Sequence, residues 1–110
     1  MNQFQNIKPV NTIEEFDAQL ESQIYDYYTT NFHRLTIPQV KITAGTKFYK
    51  IVVGNSIWGF IARNNMVHKG VQVKRGDLMK ANGPQPAKHP RGNVIDGTAQ
   101  YGPYGPVYLI

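Results

Sequence analysis

The stretch TKFYKIVVGNSIWGFIAR, residues 46–63, decides the fold. Its two halves, TKFYKIVV and SIWGFIAR, are rich in aromatic and β-branched residues, which fit a pleated, half-buried surface. Between them stands GNS, where Gly54 and Asn55 can take the positive φ of a tight hairpin turn. The stretch therefore reads as two antiparallel strands. Alternation places Phe48 and Lys50 on one face, with Tyr49 and Ile51 on the other. It likewise groups Trp58 with Phe60, opposite Ile57, Gly59 and Ile61.

The pattern extends in both directions from this hairpin. In LTIPQVKIT, residues 35–43, Ile37, Gln39 and Lys41 alternate with Pro38, Val40 and Ile42. Pro38 makes it an edge strand or the lead-in to one. NNMVHKG, residues 64–70, reads as a looser connection. VQVKRGDLMKA, residues 71–81, adds one strand or two short ones, broken at Gly76-Asp77. The result is an antiparallel β-meander of three to five strands over residues 35–81.

Ahead of the meander, NTIEEFDAQLESQIYDYYTTNF changes the period. Thr12 followed three residues later by Glu15 fits a capping box. Ile13, Phe16, Leu20, Ile24 and Tyr27 then form one apolar stripe at helical spacing. The spacing predicts a helix over residues 12–33 that covers the apolar face of the sheet; a partner-binding stripe is the alternative. Beyond Asn82 come NGPQP, HPRG and YGPYGP, punctuation that argues against regular structure. Val94, Ile95, Tyr101, Tyr104, Val107, Tyr108, Leu109 and Ile110 nevertheless supply apolar surface. Residues 82–110 are therefore expected to lie on the sheet as an extended wrap ending in a strand-like VYLI. The expected architecture is one α+β domain over residues 1–110: an N-terminal helix, an antiparallel meander and a Gly/Pro-rich C-terminal wrap.

The charge of this 110-residue chain is divided unevenly. Residues 1–33 carry Lys8 against five carboxylates, a balance of −4; residues 34–110 carry eleven Lys or Arg against Asp77 and Asp96, a balance of +9. The second part attracts polyanions and the first repels them. The chain has no cysteine, which excludes disulfides, thiolate metal sites and a cysteine nucleophile. Its first ten residues have neither the basic nor the apolar region of a secretory signal, and no apolar run approaches the length of a membrane span. A soluble protein with no membrane partner is expected.

Three segments could carry function. PAKHPRGNVIDG, residues 86–97, sets Lys88, His89 and Arg91 beside Gly92 and Asn93. Phosphate is the natural guest, with Arg91 as bidentate donor and Lys88 as point charge. The bland reading is a structural lock, with Arg91 paired to Asp96 or Asp77 and Asn93 capping a turn. Trp58 and Phe60, with Phe48, Tyr49, Lys47, Lys50 and Arg63, suggest an aromatic-and-basic sheet face that stacks single-stranded nucleic acid. Alternatively that face is core, covered by the helix or the wrap. Lys74 and Arg75 extend the basic surface. His33, His68 and His89 show no metal-ligand spacing, and no nucleophile motif or carboxylate pair is present, so no metal or cofactor is expected. His89 with Lys88, Arg91 and Asp96 could in principle cleave RNA by acid–base chemistry, but one histidine without an evident second base makes an enzyme the third reading. The chemistry favours binding of nucleic acid or a nucleotide-like anion. The alternative is a protein-binding module using the acidic helix or exposed tyrosines Tyr101, Tyr104 and Tyr108.

KFYKIV, WGFIAR, GDLMKA, PAKHPRGNVIDG and YGPVYL together resemble a family of small tailed-bacteriophage proteins. That family shares a P-A-K-H-x-R-G-N-x-x-D segment and a Gly-Pro-x-Tyr-Leu ending, and the match covers residues 46–110. Lys88, His89, Arg91, Gly92, Asn93 and Asp96 fall on its most distinctive segment. Two departures are NNMVHKGVQVKRG, longer than the expected turn, and Pro90, which stands in place of a small residue. The resemblance implies a phage origin and action in the cytoplasm of an infected bacterium or in the virion, beside host or phage proteins. It brings no activity with it.

Overall fold

The computed structural model describes residues 3–32 and 34–107. His33 and the closing Tyr108, Leu109 and Ile110 lie outside them, and with them the strand-like end and one candidate interface tyrosine. Helix α1 (Ile13–Asn31) packs on a five-stranded antiparallel sheet. The sheet order is β1 (Val40–Ala44), β2 (Phe48–Val53), β3 (Ser56–Ala62), β6 (Asp77–Asn82) and β7 (Gln85–Asn93). Two hairpins stand outside it: β4 (Met66–His68) with β5 (Val71–Val73), and β8 (Tyr101–Gly102) with β9 (Gly105–Pro106).

The helix begins as its capping residues require. Thr12 Oγ1 accepts the Glu15 N–H at 3.1 Å, and the Glu15 carboxylate reaches back to the N–H of Asn11, one residue before the expected partner. Phe16, Leu20 and Ile24 are fully buried, while Ile13 and Tyr27 form the half-buried ends of the stripe. The stripe is core. It meets Ile51, Trp58, Ile61, Leu78 and Tyr101 on one face of the sheet. A second, smaller cluster of Phe60, Ala62, Val73 and Met79 lies on the other face, under the β4–β5 hairpin.

Three expectations need correction. First, the supposed wrap begins with the longest strand, β7. Gly83, at φ +60°, and Pro84 form the two-residue turn between Asn82 and Gln85, the geometry in which glycine-first hairpin turns succeed. Pro86 and Pro90 are tolerated because β7 is an edge strand. Its pairing with β6 slips twice: Ala81 faces Pro86, Met79 faces Pro90 and Asp77 faces Asn93, so residues 87–89 and 91–92 contain extra backbone.

Second, the connection at 64–70 is a hairpin of its own, turning through Lys69 (φ 52°) and Gly70 (φ 80°). Third, Trp58 and Phe60 do not share a face. Ile51 pairs with Gly59 and Val52 with Ile57, which leaves Trp58 as an extra residue in a β-bulge. The bulge reverses the alternation, so Trp58 joins Ile61 under the helix and Ile57 joins Phe60 on the far side.

The rest of the C-terminal segment does wrap, on the helix side. Tyr101 is fully buried, edge-on to Phe4, Phe16 and Trp58, and Trp58 Nε1 donates to the Gly102 carbonyl at 3.0 Å. Tyr101 is therefore core and not the exposed interface residue expected from YGPYGP. Its hydroxyl donates to Gln23 and accepts from Gln19, and burial pushes its pKa up to about 12. Among the described residues no helix is long and apolar enough to cross a membrane.

Candidate nucleic-acid interface

The sheet face turned away from the helix is only half covered. Parity from Val40 and Ile42, which pack toward the helix, puts Lys41 and Thr43 on this face. Lys50 lies directly opposite Thr43 on one side and Phe60 on the other. Phe48 sits edge-on between Phe60 (6.3 Å between centroids) and His68 (5.1 Å) and is half-buried. Thr43, Phe48, Lys50, Phe60 and His68, with Lys47 and the start of β7 with its preceding Pro84, border a groove of about 450 Å³.

Among the described residues no carboxylate lines this groove. Five of the seven in the chain stand on α1, behind the sheet. Asp77 is buried and accepts from the Lys74 N–H and the Asn93 side chain. Asp96 is turned onto the Thr98 hydroxyl and N–H, which hold its carboxyl below the usual range. Lys41, Lys47 and Lys50 thus meet no neutralising carboxylate on their own face among the described residues, which leaves a cationic field beside the aromatic rings.

The β4–β5 hairpin closes one side of the groove. The backbone released by the bulge of β7 is satisfied from here: Lys69 Nζ donates to the Pro86 carbonyl and the His68 ring meets the Ala87 carbonyl, both at 3.2 Å. Lys88 and His89, both exposed, lie in that bulge.

The other candidate residues divide. Arg63 and Arg75 stand apart from the groove, about a small cleft at the helix N-terminus. Arg63 lies over the Tyr49 ring at 5.2 Å and donates to the Gly45 carbonyl; Arg75 donates to the Asn11 carbonyl at 2.9 Å. Lys74 is exposed in the adjoining turn, and Arg91 is half-buried on β7. Phe60 forms the floor of the groove with little surface showing, and Trp58 is excluded from it by the bulge.

Asn93 is removed from the anion-binding set by its own hydrogen bonds. Its amide donates to the Arg75 carbonyl and to Asp77 Oδ1, both at 2.9 Å. Its Oδ1 accepts from Ile95 N at 2.7 Å and Asp96 N at 3.2 Å. Beside it Gly92 (φ 90°) is held so close that a Cβ would stand 2.4 Å from the Thr98 carbonyl oxygen. The end of the 86–97 segment is therefore a latch that ties β7 to the β5–β6 turn. Residues that sequence reading passed over are His68, Lys69 and Lys41, which acquire their places only through the hairpin and the sheet parity.

Fold and site together define an α+β protein with one acidic, helix-covered face and one basic, half-open face. No family model matches the chain, and no curated protein or solved structure matches it either.

Proposed function

We propose that this protein binds single-stranded nucleic acid on the sheet face opposite α1, without catalysis, as a small phage accessory protein in an infected bacterium. The observation that supports the reading is the groove itself: Phe48 and His68 beside Lys47 and Lys50, with no carboxylate among the lining residues. Aromatic ring faces offer bases a stacking surface, and the lysines follow the phosphates. A duplex fits the geometry less well, because α1, the one helix among the described residues, is acidic and packed on the sheet and is not offered to a major groove. Lys41, Lys69 and Lys88 extend the cationic rim along the strand's path.

Anisotropy of a labelled oligo-dT or oligo-U at about 50 and 200 mM salt tests this. Lys47→Ala and Lys50→Ala should each weaken binding and reduce the salt slope by about 0.7, the single-strand value per phosphate contact. Phe48→Ala should cost about 1–3 kcal/mol in affinity with the slope unchanged. A wild-type protein that binds neither oligonucleotide at low salt defeats the proposal.

One observation favours a second reading, a protein-interaction module. Tyr104, Leu35 and Tyr25 are 64%, 58% and 56% exposed. Tyr104 belongs to a ring cluster with Tyr27, Tyr28 and Phe32 at the end of the helix. Exposed tyrosines of this kind suit interfaces.

A further inference from the structure

The two edges of the main sheet are built differently. On β7, two prolines and two register slips interrupt the ladder, and side chains from the β4–β5 hairpin occupy the bulge carbonyls. Those features prevent another strand from adding. β1 has none of them. Its register with β2 runs unbroken from Val40↔Val53 to Ala44↔Tyr49.

The ladder also shows which backbone groups remain outside it. Gly54 N donates to the Gln39 carbonyl and Gly45 N to the Phe48 carbonyl, both at 2.9 Å. Bonded pairs alternate along an antiparallel ladder, so Gln39, Lys41, Thr43 and Gly45 turn their backbone groups toward β2. Val40, Ile42 and Ala44 turn theirs outward.

The surroundings of this edge carry opposite charges on its two sides. On the helix side a groove of about 250 Å³ is lined by Ile13, Glu14, Asp17, Ile42, Ala44 and Tyr49. Asp17 Oδ1 is shielded from solvent there and has no donor among the described residues. Glu21, one turn further on, is held above the usual carboxylate range, by burial first and the Asp17 charge second. A buried carboxylate oxygen without a donor favours an approaching cation or N–H, and the half-buried Asp17 keeps its charge at the groove. On the opposite side stand Lys41 and Lys50 with Thr43 between β1 and β2.

We infer that β1 is a docking edge for an extended segment of another protein, which adds as a sixth strand with Lys or Arg facing α1 and Asp or Glu facing the open side. Period-two alternation delivers each set of side chains to its own face, while main-chain bonds at Val40, Ile42 and Ala44 hold the strand. A second copy of this chain suits the edge less well. Pairing β1 with itself brings Lys41 of each copy to the same face and sets two acidic helices side by side, without complementarity. The open side of this edge shares Thr43, Ala44 and Lys50 with the proposed nucleic-acid groove, but its test uses a peptide without nucleic acid and does not depend on that reading.

The probe is a capped, roughly eight-residue peptide alternating Lys with Glu, a usual strand length, titrated onto the full chain with amide exchange as readout. The amides of Val40, Ile42 and Ala44 should slow on binding, while those of Lys41 and Thr43, already in the ladder, stay unchanged. Ala44→Pro removes one outward N–H at an exposed edge position and should weaken the peptide about tenfold, with the fold intact by circular dichroism. Asp17→Asn should weaken the Lys–Glu peptide but not one carrying norleucine in place of Lys. The inference is overturned if the peptide does not bind, if protection appears elsewhere, if Ala44→Pro binds as wild type, or if the chain alone dimerises through the same three amides.

Discussion

Replacing Asn93 by alanine should remove about 3–5 kcal/mol of stability. The side chain makes four hydrogen bonds, and one of its donations goes to the buried Asp77 carboxylate. A bond to a charged group is worth about 1.5–3 kcal/mol and a neutral one about 0.5–1.5. Water can reach the freed N–H groups of half-buried Ile95 and exposed Asp96 more readily than it can reach Asp77, which is why the sum stays below its ceiling. Against a total of roughly 5–15 kcal/mol for a domain this is a large fraction. Asn93→Asp keeps the shape but places a second carboxylate 2.9 Å from Asp77 Oδ1. It should be at least as damaging at neutral pH, and the loss should shrink in acid as the pair takes up a proton. Urea unfolding followed by the fluorescence of Trp58, the single tryptophan, measures both. A loss under about 1 kcal/mol for Asn93→Ala, or a wild-type curve for Asn93→Asp at neutral pH, would refute the latch.

Leu20→Ala, at a fully buried helix position, should cost about 2–5 kcal/mol in the same assay; a loss well below 1 would mean the stripe does not pack. Tyr101 gives a pH signature. Its folded pKa of about 12 lies above the ordinary 10, so its contribution is full below pH 10 and is lost as pH rises toward 12, by roughly 3 kcal/mol at most. Alkaline unfolding should therefore be shallower in Tyr101→Phe, and an identical pH profile would contradict the burial of that hydroxyl. Deleting residues 101–110 removes Tyr101 from between Phe16 and Trp58 and should lower the melting temperature sharply or make the chain insoluble; an unchanged melting temperature would show the wrap to be dispensable.

Local patterns were the readable part of this molecule. Thr12 with Glu15, the stripe from Phe16 to Ile24 and the hairpin over residues 46–63 each carry their geometry within a few residues, and each appears in outline. In detail, Glu15 reaches back to Asn11, only Gly54 of the turn pair takes a positive φ, and the second strand bulges at Trp58. Failures came where a local rule meets a tertiary exception. Pro86 and Pro90 read as strand breakers, yet the edge of a sheet asks for no N–H at those positions. The bulge at Trp58 leaves the apolar pattern intact while exchanging the faces of Ile57 and Trp58; Gly59 beside it was the single available hint. Asn93 reads as a loop donor because its partners, Asp77 and the Arg75 carbonyl, stand sixteen and eighteen residues away. The groove was half legible. Phe48, Lys47 and Lys50 come from one strand and its approach, but His68 reaches it, and Lys69 reaches the Pro86 carbonyl beside it, only because residues 66–73 fold back as a hairpin.

The most direct test of the proposed interface is a backbone amide chemical-shift map of the isotopically labelled protein titrated with oligo-dT or oligo-U at low salt. Binding on the open face predicts perturbations at Thr43, Lys47, Phe48, Lys50 and His68, fading as salt rises, with the amides of α1 unmoved. Perturbations confined to the Tyr25–Tyr104 end, or none at all, would contradict it.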